Sequence, residues 1–578
     1  MRKIEKKNSI ISVPFIAGIA ALISLLAQYG FYLNPKTLEF FRYLDRVIAL
    51  IFVLSYFIKI IQSRNKWEAI KSSPLEGILL IVFSVSLLTE GILVMQALSS
   101  ELALTYIKLY YIVIQIYVLS NMLIALAKSR ENWLFVSLNP SRVFVASFLF
   151  VIIVGVILLK LPRATYNGIE WIDAFFISTS AVCVTGLTPL NVVDTFTPIG
   201  QGVILFLFQI GGLGIVTLTS FLALLFQSGG GFRLRDQVIL MEILDDSNLS
   251  KLGEMLRAII RLTLIFELIG AVILWARWGH FGLDPGRRVF TAVFHSVSAY
   301  CNAGFSNFQN GLETVGYNSD PITMITIMFL IIIGGLGFYT LRDILFNKRI
   351  RSGNRFHLSL QTRMILGISG GLILAGAIII ILVQWNSWQG MPAWLKIING
   401  FFTSVTSRTA GFSTVHIGSL NLPAILMIIF LMYIGAAPNS TGGGIKVTTF
   451  GALIAASWAF IRGKDRVEID WNTIPMTTIR RSYIVLISSL GLIVIAVFCL
   501  SLVENMDFTD ILFEVVSAFG TVGLSRGATP LLSAFSKTVI TIVMFMGRVG
   551  LYTLAIAVGR ESMTKHDYSF PETNMMVG

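Results

Sequence analysis

The stretch TSAVCVTGLTPLNVVDT, residues 179–195, decides the fold. It begins inside a Ser/Thr-rich segment, Asp173 to Ala181, that is too short and too polar to cross a bilayer and fits a half-helix that enters and stops. At its centre lies the tetrapeptide VTGL, 184–187, and three more glycine-centred tetrapeptides follow: NAGF at 302–305, TAGF at 409–412 and TVGL at 521–524. Their glycines, Gly186, Gly304, Gly411 and Gly523, stand 118, 107 and 112 residues apart, a period that marks internal repetition. Ser180, Ser298 and Ser517 each lie six residues before their glycine; the third unit offers Thr406 five before. Downstream, second spans are expected to open with Gly211-Gly-Leu-Gly214, Gly334-Gly-Leu-Gly337, Gly435 and Gly547-Arg-Val-Gly550. From Asn139 onward the chain therefore reads as four units of span, half-helix, tetrapeptide and second span.

Composition sets the solvent. The 578 residues are 55% hydrophobic and 13% charged, and the mean hydropathy is +0.79. That leaves too little polar surface for a water-soluble globule. Apolar runs of spanning length recur throughout, twelve in all, each needing ~20 residues to cross as a helix. The first, Ile11 to Leu33, is too long for a signal peptide and has no small-residue cleavage site after it. Four simple spans are expected before Trp133, near 11–33, 46–61, 75–98 and 103–127. The chain divides into an N-terminal extension at 1–133, repeats at 134–230, 231–345 and 346–460, and a fourth repeat with its tail at 461–578.

The net charge of +13 would suit nucleic acid, but the basic residues alternate with the spans as the positive-inside rule requires. Clusters follow the second span (Arg64, Lys66, Lys71) and the fourth (Lys128, Arg130, Arg142). Others fall at Arg233, Arg235, Lys251 and Arg257, at Lys348, Arg349, Arg351 and Arg355, and at Arg462, Lys464, Arg466, Arg480 and Arg481. This pattern places both termini in the cytoplasm of a multi-pass cell-membrane protein. Three cysteines and five scattered histidines build neither a disulfide framework nor a metal site.

Non-helical backbone at membrane depth is tolerated only where it is buried in protein or lines water, because unsatisfied carbonyls cost several kcal/mol in hydrocarbon. Four such loops imply a pore. The expected filter is Val184, Thr185 and Gly186; Asn302, Ala303 and Gly304; Thr409, Ala410 and Gly411; and Thr521, Val522 and Gly523. No tetrapeptide contains a carboxylate, so backbone carbonyls must replace the ion's water shell, which favours weakly hydrated monovalent cations. Glycine suits this task by admitting left-handed dihedrals.

These residues resemble the Trk/Ktr/HKT superfamily of potassium transporters. The four loops TSAVCVTGLTPLNVVDT, HSVSAYCNAGFSNF, TSRTAGFST and SAFGTVGLSRG are close to its pore signatures, and the likeness spans roughly 139–578. The tail SFPETNMMVG is similar to that of KtrB-type (NtpJ-like) membrane subunits. The resemblance implies an all-α membrane fold of four M1-P-M2 motifs, channel-like repeats around a pseudo-fourfold pore. It also implies potassium at the filter carbonyls, a homodimer and a cytoplasmic KtrA-like nucleotide-binding ring. All four filter positions are glycine, whereas the sodium-selective branch has serine in the first loop.

Within Gly435-Ala-Ala-Pro-Asn-Ser-Thr-Gly-Gly-Gly-Ile-Lys446, a proline and three glycines make a continuous helix unfavourable. By resemblance this is an intramembrane gating loop comprising Asn439, Ser440, Thr441, Gly442, Gly443, Gly444 and Lys446. Arg548 lies in an apolar span, where a charge faces a cavity or a partner; by resemblance it sits near the gate and raises the barrier to cations. Glu267 is a second intramembrane charge, read equally as a structural hydrogen-bonding group or a functional one. Cys183 and Cys301 precede their filter glycines by three residues, and Arg408, at the same place in the third unit, is expected to point behind its loop.

No GxGxxG or P-loop is present, so any nucleotide belongs to a partner. No intramembrane carboxylate pair, histidine cluster or HExxH supports an enzyme. A sodium-coupled or sodium-translocating transporter of the same fold is the competing reading.

Overall fold

The computed structural model describes residues 20–62, 140–214, 252–282, 284–314, 316–346, 358–470 and 472–559. The spans expected near 75–98 and 103–127, the basic clusters at 233–251 and 348–355, and the tail 569–578 lie outside these residues. The fold is all-α; among the described residues the only sheet is a two-stranded hairpin, Glu468–Ile469 with Asn472–Thr473.

Two helices come first, α1 (Ala20–Gly30) and α2 (Pro35–Gln62). The second starts well before the expected residue 46, because Pro35 at its first position has a φ already suited to a helix. Asp45 of α2 accepts hydrogen bonds from Ser24 Oγ and Gln28 Nε2 of α1, both at 2.6 Å. Arg163 joins this hairpin to the rest by donating to Gln28 O (2.9 Å) and, through its own amide, to Gly30 O (3.0 Å).

The first unit contains α3 (Pro140–Leu159), α4 (Trp171–Val182) and α5 (Pro198–Leu213). The second has α6 (Leu252–Arg277), α7 (Pro285–Tyr300), α8 (Pro321–Leu336) and α9 (Phe338–Phe346). The third has α10 (Leu360–Gln384), α11 (Ala393–Thr406), α12 (Leu422–Tyr433) and α13 (Val447–Ile461). The fourth has α14 (Met476–Ser501), α15 (Phe508–Gly520), α16 (Ala534–Val549) and α17 (Leu551–Val558). The outer helices α3, α6, α10 and α14 are apolar and long enough to cross a membrane. The half-helices α4, α7, α11 and α15, at 12 to 16 residues, are not.

The glycine signatures do not open the second spans, as expected from sequence, but close their first halves. Thr197, Asp320 and Ser533 cap the starts of α5, α8 and α16, well upstream of those glycines. Gly214, Gly337 and Gly550 follow the ends at φ 78°, 80° and 88°, a backbone region that side chains disfavour. The chain turns there: α8 and α9 meet at 100°, α16 and α17 at 94°. Gly211, Gly334 and Gly547, three residues earlier, lie directly against the carbonyls of Val182, Tyr300 and Phe519, so a Cβ at any of them would collide with backbone. Their small size brings each inner helix onto the end of its own half-helix.

Packing between units runs in one direction. The inner helix of each unit contacts the half-helix of the next: α5 on α7, α8 on α11, α12 on α15, and α16 back on α4. The seam between last and first is sealed by Phe176 and Leu187, which share a buried cluster with Ile540 and Met544, and by the Lys537–Asp173 ion pair at 2.7 Å. Arg142 closes the other end, donating to Ala557 O at 2.7 Å. Four units thus enclose one axis.

Candidate ion pathway

The four tetrapeptides meet on that axis. A Cβ built on Gly186 would lie 2.5 Å from Ala303 O, and one on Gly304 would lie 2.8 Å from Ala410 O. Gly411 is against Val522 O, and Gly523 against Thr185 O. Each glycine therefore abuts the carbonyl that precedes the glycine of the next loop, and the cycle closes. The side chains of Val184, Thr185, Asn302, Ala303, Thr409, Ala410, Thr521 and Val522 are fully buried behind the loops. Only the four glycines are partly exposed, toward the axis.

Backbone geometry repeats as well. Gly186, Gly304, Gly411 and Gly523 have φ of 92°, 69°, 76° and 92°. Val184, Asn302, Thr409 and Thr521, two residues earlier, also have positive φ, at 58°, 58°, 75° and 48°. Left-handed residues alternating with ordinary ones turn successive carbonyls to the same side, as a carbonyl-lined filter needs. Asparagine tolerates this conformation, but the β-branched valine and threonines disfavour it. It costs of order 1–3 kcal/mol at each site and persists only because the surroundings impose it.

Those surroundings explain the hydroxyl spaced before each glycine. Ser180 Oγ accepts from Gly186 N, and Ser517 Oγ from Gly523 N, both at 3.1 Å. Ser298 Oγ donates instead to Phe305 O (2.8 Å), and Thr406 Oγ1 to Phe412 O (2.7 Å). The one-residue shift of Thr406 is absorbed by its carbonyl, which accepts from both Ala410 N (3.0 Å) and Gly411 N (3.4 Å). Loops two and three are joined by the Asn302 amide, whose oxygen accepts from Thr409 Oγ1 at 3.2 Å while its nitrogen donates to Ala299 O and Ile331 O.

Next to the four tetrapeptides, α12 stops at Tyr433 and α13 starts at Val447. The intervening chain forms a loop whose neck is a parallel bridge between Ile434 and Ile445, with Gly435 N donating to Ile445 O at 2.9 Å. Its tip lies against the second, third and fourth tetrapeptide segments. Gly443 N donates to Thr521 Oγ1 (2.9 Å), Thr441 Oγ1 donates to Tyr300 O (3.4 Å), and a Cβ on Gly442 would run into Thr409 Oγ1. Phe338 N donates to Asn439 O at 3.1 Å, and Ser440 Oγ turns back onto Ala437 O at 2.6 Å. Gly444 makes the return turn at φ 68°.

Two cations hold this tip. Lys446 Nζ donates to Gly442 O at 2.7 Å, and Arg548 donates to Thr441 O and Gly211 O. Among the described residues no carboxylate forms an ion pair with either. On the far side of the loop is a cavity of about 830 Å³, lined in part by Asn439, Ser440, Lys446, Arg481, Arg548 and Tyr552.

The remaining singled-out residues stand behind the loops. Arg408 is 7% exposed and turned away from the axis. Glu267 of α6 accepts from Gln209 Nε2 of α5 at 3.2 Å, and Cys301 Sγ is 3.4 Å from Gln209 Oε1. This polar contact between units one and two was not legible in sequence, because Gln209 lies 58 residues from Glu267. Cys183 is fully buried.

Four half-helices with uncoiled ends around one axis, flanked by apolar helices long enough to cross a membrane, define a multi-pass membrane protein. The chain belongs to the TrkH cation transport protein family, whose model matches residues 113–566. It is 36% identical over 444 residues to the Ktr system potassium uptake protein B of Vibrio alginolyticus, covering 76% of this chain and 94% of that one. It is 34% identical over 449 residues to the protein of the same name from Bacillus subtilis (77% and 98% covered). To the potassium/sodium uptake protein NtpJ of Enterococcus hirae it is 34% identical over 451 residues (76% and 98%). The crystal structure of the potassium transporter TrkH from Vibrio parahaemolyticus shares the fold, with a TM-score of 0.62 at 19% identity over 84% of this chain and 97% of that one.

Proposed function

We propose that the chain mediates potassium uptake across the cell membrane, with the carbonyls of its four converging loops acting as the selectivity filter. The observation that carries this reading is the closed cycle of Gly186, Gly304, Gly411 and Gly523, each against a carbonyl of the next loop. Potassium is the substrate: a ring of neutral carbonyl dipoles replaces the shell of a weakly hydrated monovalent ion and gives divalent ions no charge to bind. The names of the relatives, potassium uptake proteins at 34–36% identity, support the choice of ion.

The loop of 434–446 is the gate in this proposal. It lies across the path under the filter, and Arg548 places a fixed positive charge where a cation must pass. A cytoplasmic KtrA-like nucleotide-binding ring sets the gate from the side of the large cavity, both termini facing it, and two copies of the chain assemble as a homodimer in the lipid bilayer.

Rubidium and potassium uptake into vesicles containing the purified chain, with and without an imposed sodium gradient, tests the proposal. Uptake that saturates with potassium and ignores the gradient supports it. Uptake that requires the gradient would favour the sodium-coupled reading, and none in either condition would reject transport by this chain alone.

A further inference from the structure

Arg408 has no part in the pathway described so far, yet it is buried at membrane depth with no ion-pairing carboxylate among the described residues. A cation so placed is retained for the contacts it makes. Its Nη1 donates to Ser369 O of α10 at 3.2 Å and its Nη2 to Gly435 O at 2.8 Å. Nε has no partner, so the guanidinium is committed to these two carbonyls. Ser369 lies within the outer helix of the third unit, α10. Gly435 is the neck of the loop: its amide forms the Ile445 bond, and its carbonyl receives Arg408. Through the main chain, Arg408 also adjoins Thr409, the left-handed first residue of the third filter loop.

We propose that Arg408 is a positioning residue for the gate: its guanidinium ties the neck at Gly435 to both the outer helix α10 and the third filter loop, and so holds the loop in its occluding position. This rests on the reading of 434–446 as a gate. The planar fork of arginine spans two carbonyls, whereas a lysine ammonium is a point donor on a flexible stem and cannot hold the same pair in fixed geometry. The tip has its own holders, Arg548 and Lys446, so the neck contact is a separate restraint on the same loop.

The test uses the full chain in liposomes without any partner protein. Arg408→Met is expected to raise rubidium flux on the order of tenfold, the scale of one lost charge-assisted hydrogen bond, and Arg408→Lys to raise it less. In a background lacking residues 440–443, Arg408→Met is expected to add nothing, because the occluding tip is already gone. A silent or lowered flux, or a further rise in the shortened background, would overturn the proposal. If Arg408→Met fails to fold, hydrogen exchange of Arg408→Lys decides: faster exchange confined to 434–446 is expected, and an unchanged rate there would overturn it. Wild-type flux from the shortened chain alone would reject the gate reading, while the exchange measurement would still judge the neck contact by itself.

Discussion

Gly523 of the fourth loop stands against Gly186 of the first: a Cβ on Gly523 would fall 3.0 Å from the Gly186 Cα, and one on Gly186 would fall 2.5 Å from Ala303 O. The first and last repeats, more than 300 residues apart in the chain, thus complete a ring whose members leave each other no room for a side chain. A serine at 186 would have to hold φ near 92° and displace the second loop. Gly186→Ser is expected to lower the rubidium-to-sodium flux ratio by roughly tenfold, the equivalent of ~1.4 kcal/mol, within the usual cost of a strained residue. An unchanged ratio in folded protein would count against the filter.

Arg548 is bound to two carbonyls, Thr441 O at the loop tip and Gly211 O at the end of α5. Arg548→Ala removes both bonds and a fixed charge from the path, so basal rubidium flux is expected to rise about tenfold or more. Removing residues 440–443 is expected to do at least as much. Lost conduction in well-folded Arg548→Ala protein would contradict the barrier role.

The glycines of the inner helices make a stability prediction that needs no transport assay. At Gly547 a Cβ would meet the Phe519 carbonyl, whereas at Gly202 nothing lies within 4 Å. Gly547→Ala is expected to destabilise by ~1–3 kcal/mol through overpacking. Gly202→Ala, in an open helix interior, is expected to stabilise by ~0.5–1 kcal/mol. Thermal unfolding in detergent compares the two, and equal effects would mean that the inner helix does not rest on the half-helix as described.

Outside the spans, Asp320 caps α8 by accepting from Thr323 N at 3.1 Å and pairs with Arg277 at 2.8 Å. Burial alone would raise its carboxyl, but the hydrogen bonds from Arg277 and Thr323 outweigh it and hold the pKa below the usual value. A group whose folded pKa is depressed contributes stability above its unfolded pKa, about 3.9, and loses it as pH falls through the folded value. Asp320→Ala is therefore expected to cost ~1–2 kcal/mol at neutral pH, mainly the lost cap. The gap between mutant and wild type in unfolding temperature should shrink below pH 4; a gap constant with pH would show that the ionised carboxylate does not matter.

The period of the four glycines, the hydroxyl six residues before three of them and the broken span at 435–446 are local patterns, and each was legible because repeated physics leaves repeated residues. Arg548 was legible too, since a charge in an apolar run stands out. Less visible were features carried by ordinary residue types. Val184, Asn302, Thr409 and Thr521 adopt left-handed backbone although none is glycine. The Gly-Gly-Leu-Gly signatures were expected to start the second spans and instead end their first halves, because composition marks a break without telling which side of it the helix lies on.

The sequence by itself determined that the chain is solvated by lipid, that it holds four like units, and that each brings an uncoiled, carboxylate-free segment into the membrane. Hydropathy and spacing are properties of short windows, so one chain suffices to read them. Only the tertiary structure decided the order of the ring, the closure of α16 on α4, and the reach of Arg408 to Gly435 and Arg548 to Thr441 and Gly211. The arginine contacts alone join residues 27 to 337 positions apart, and a backbone carbonyl, being common to every residue, leaves no mark in the sequence of the partner that accepts the bond.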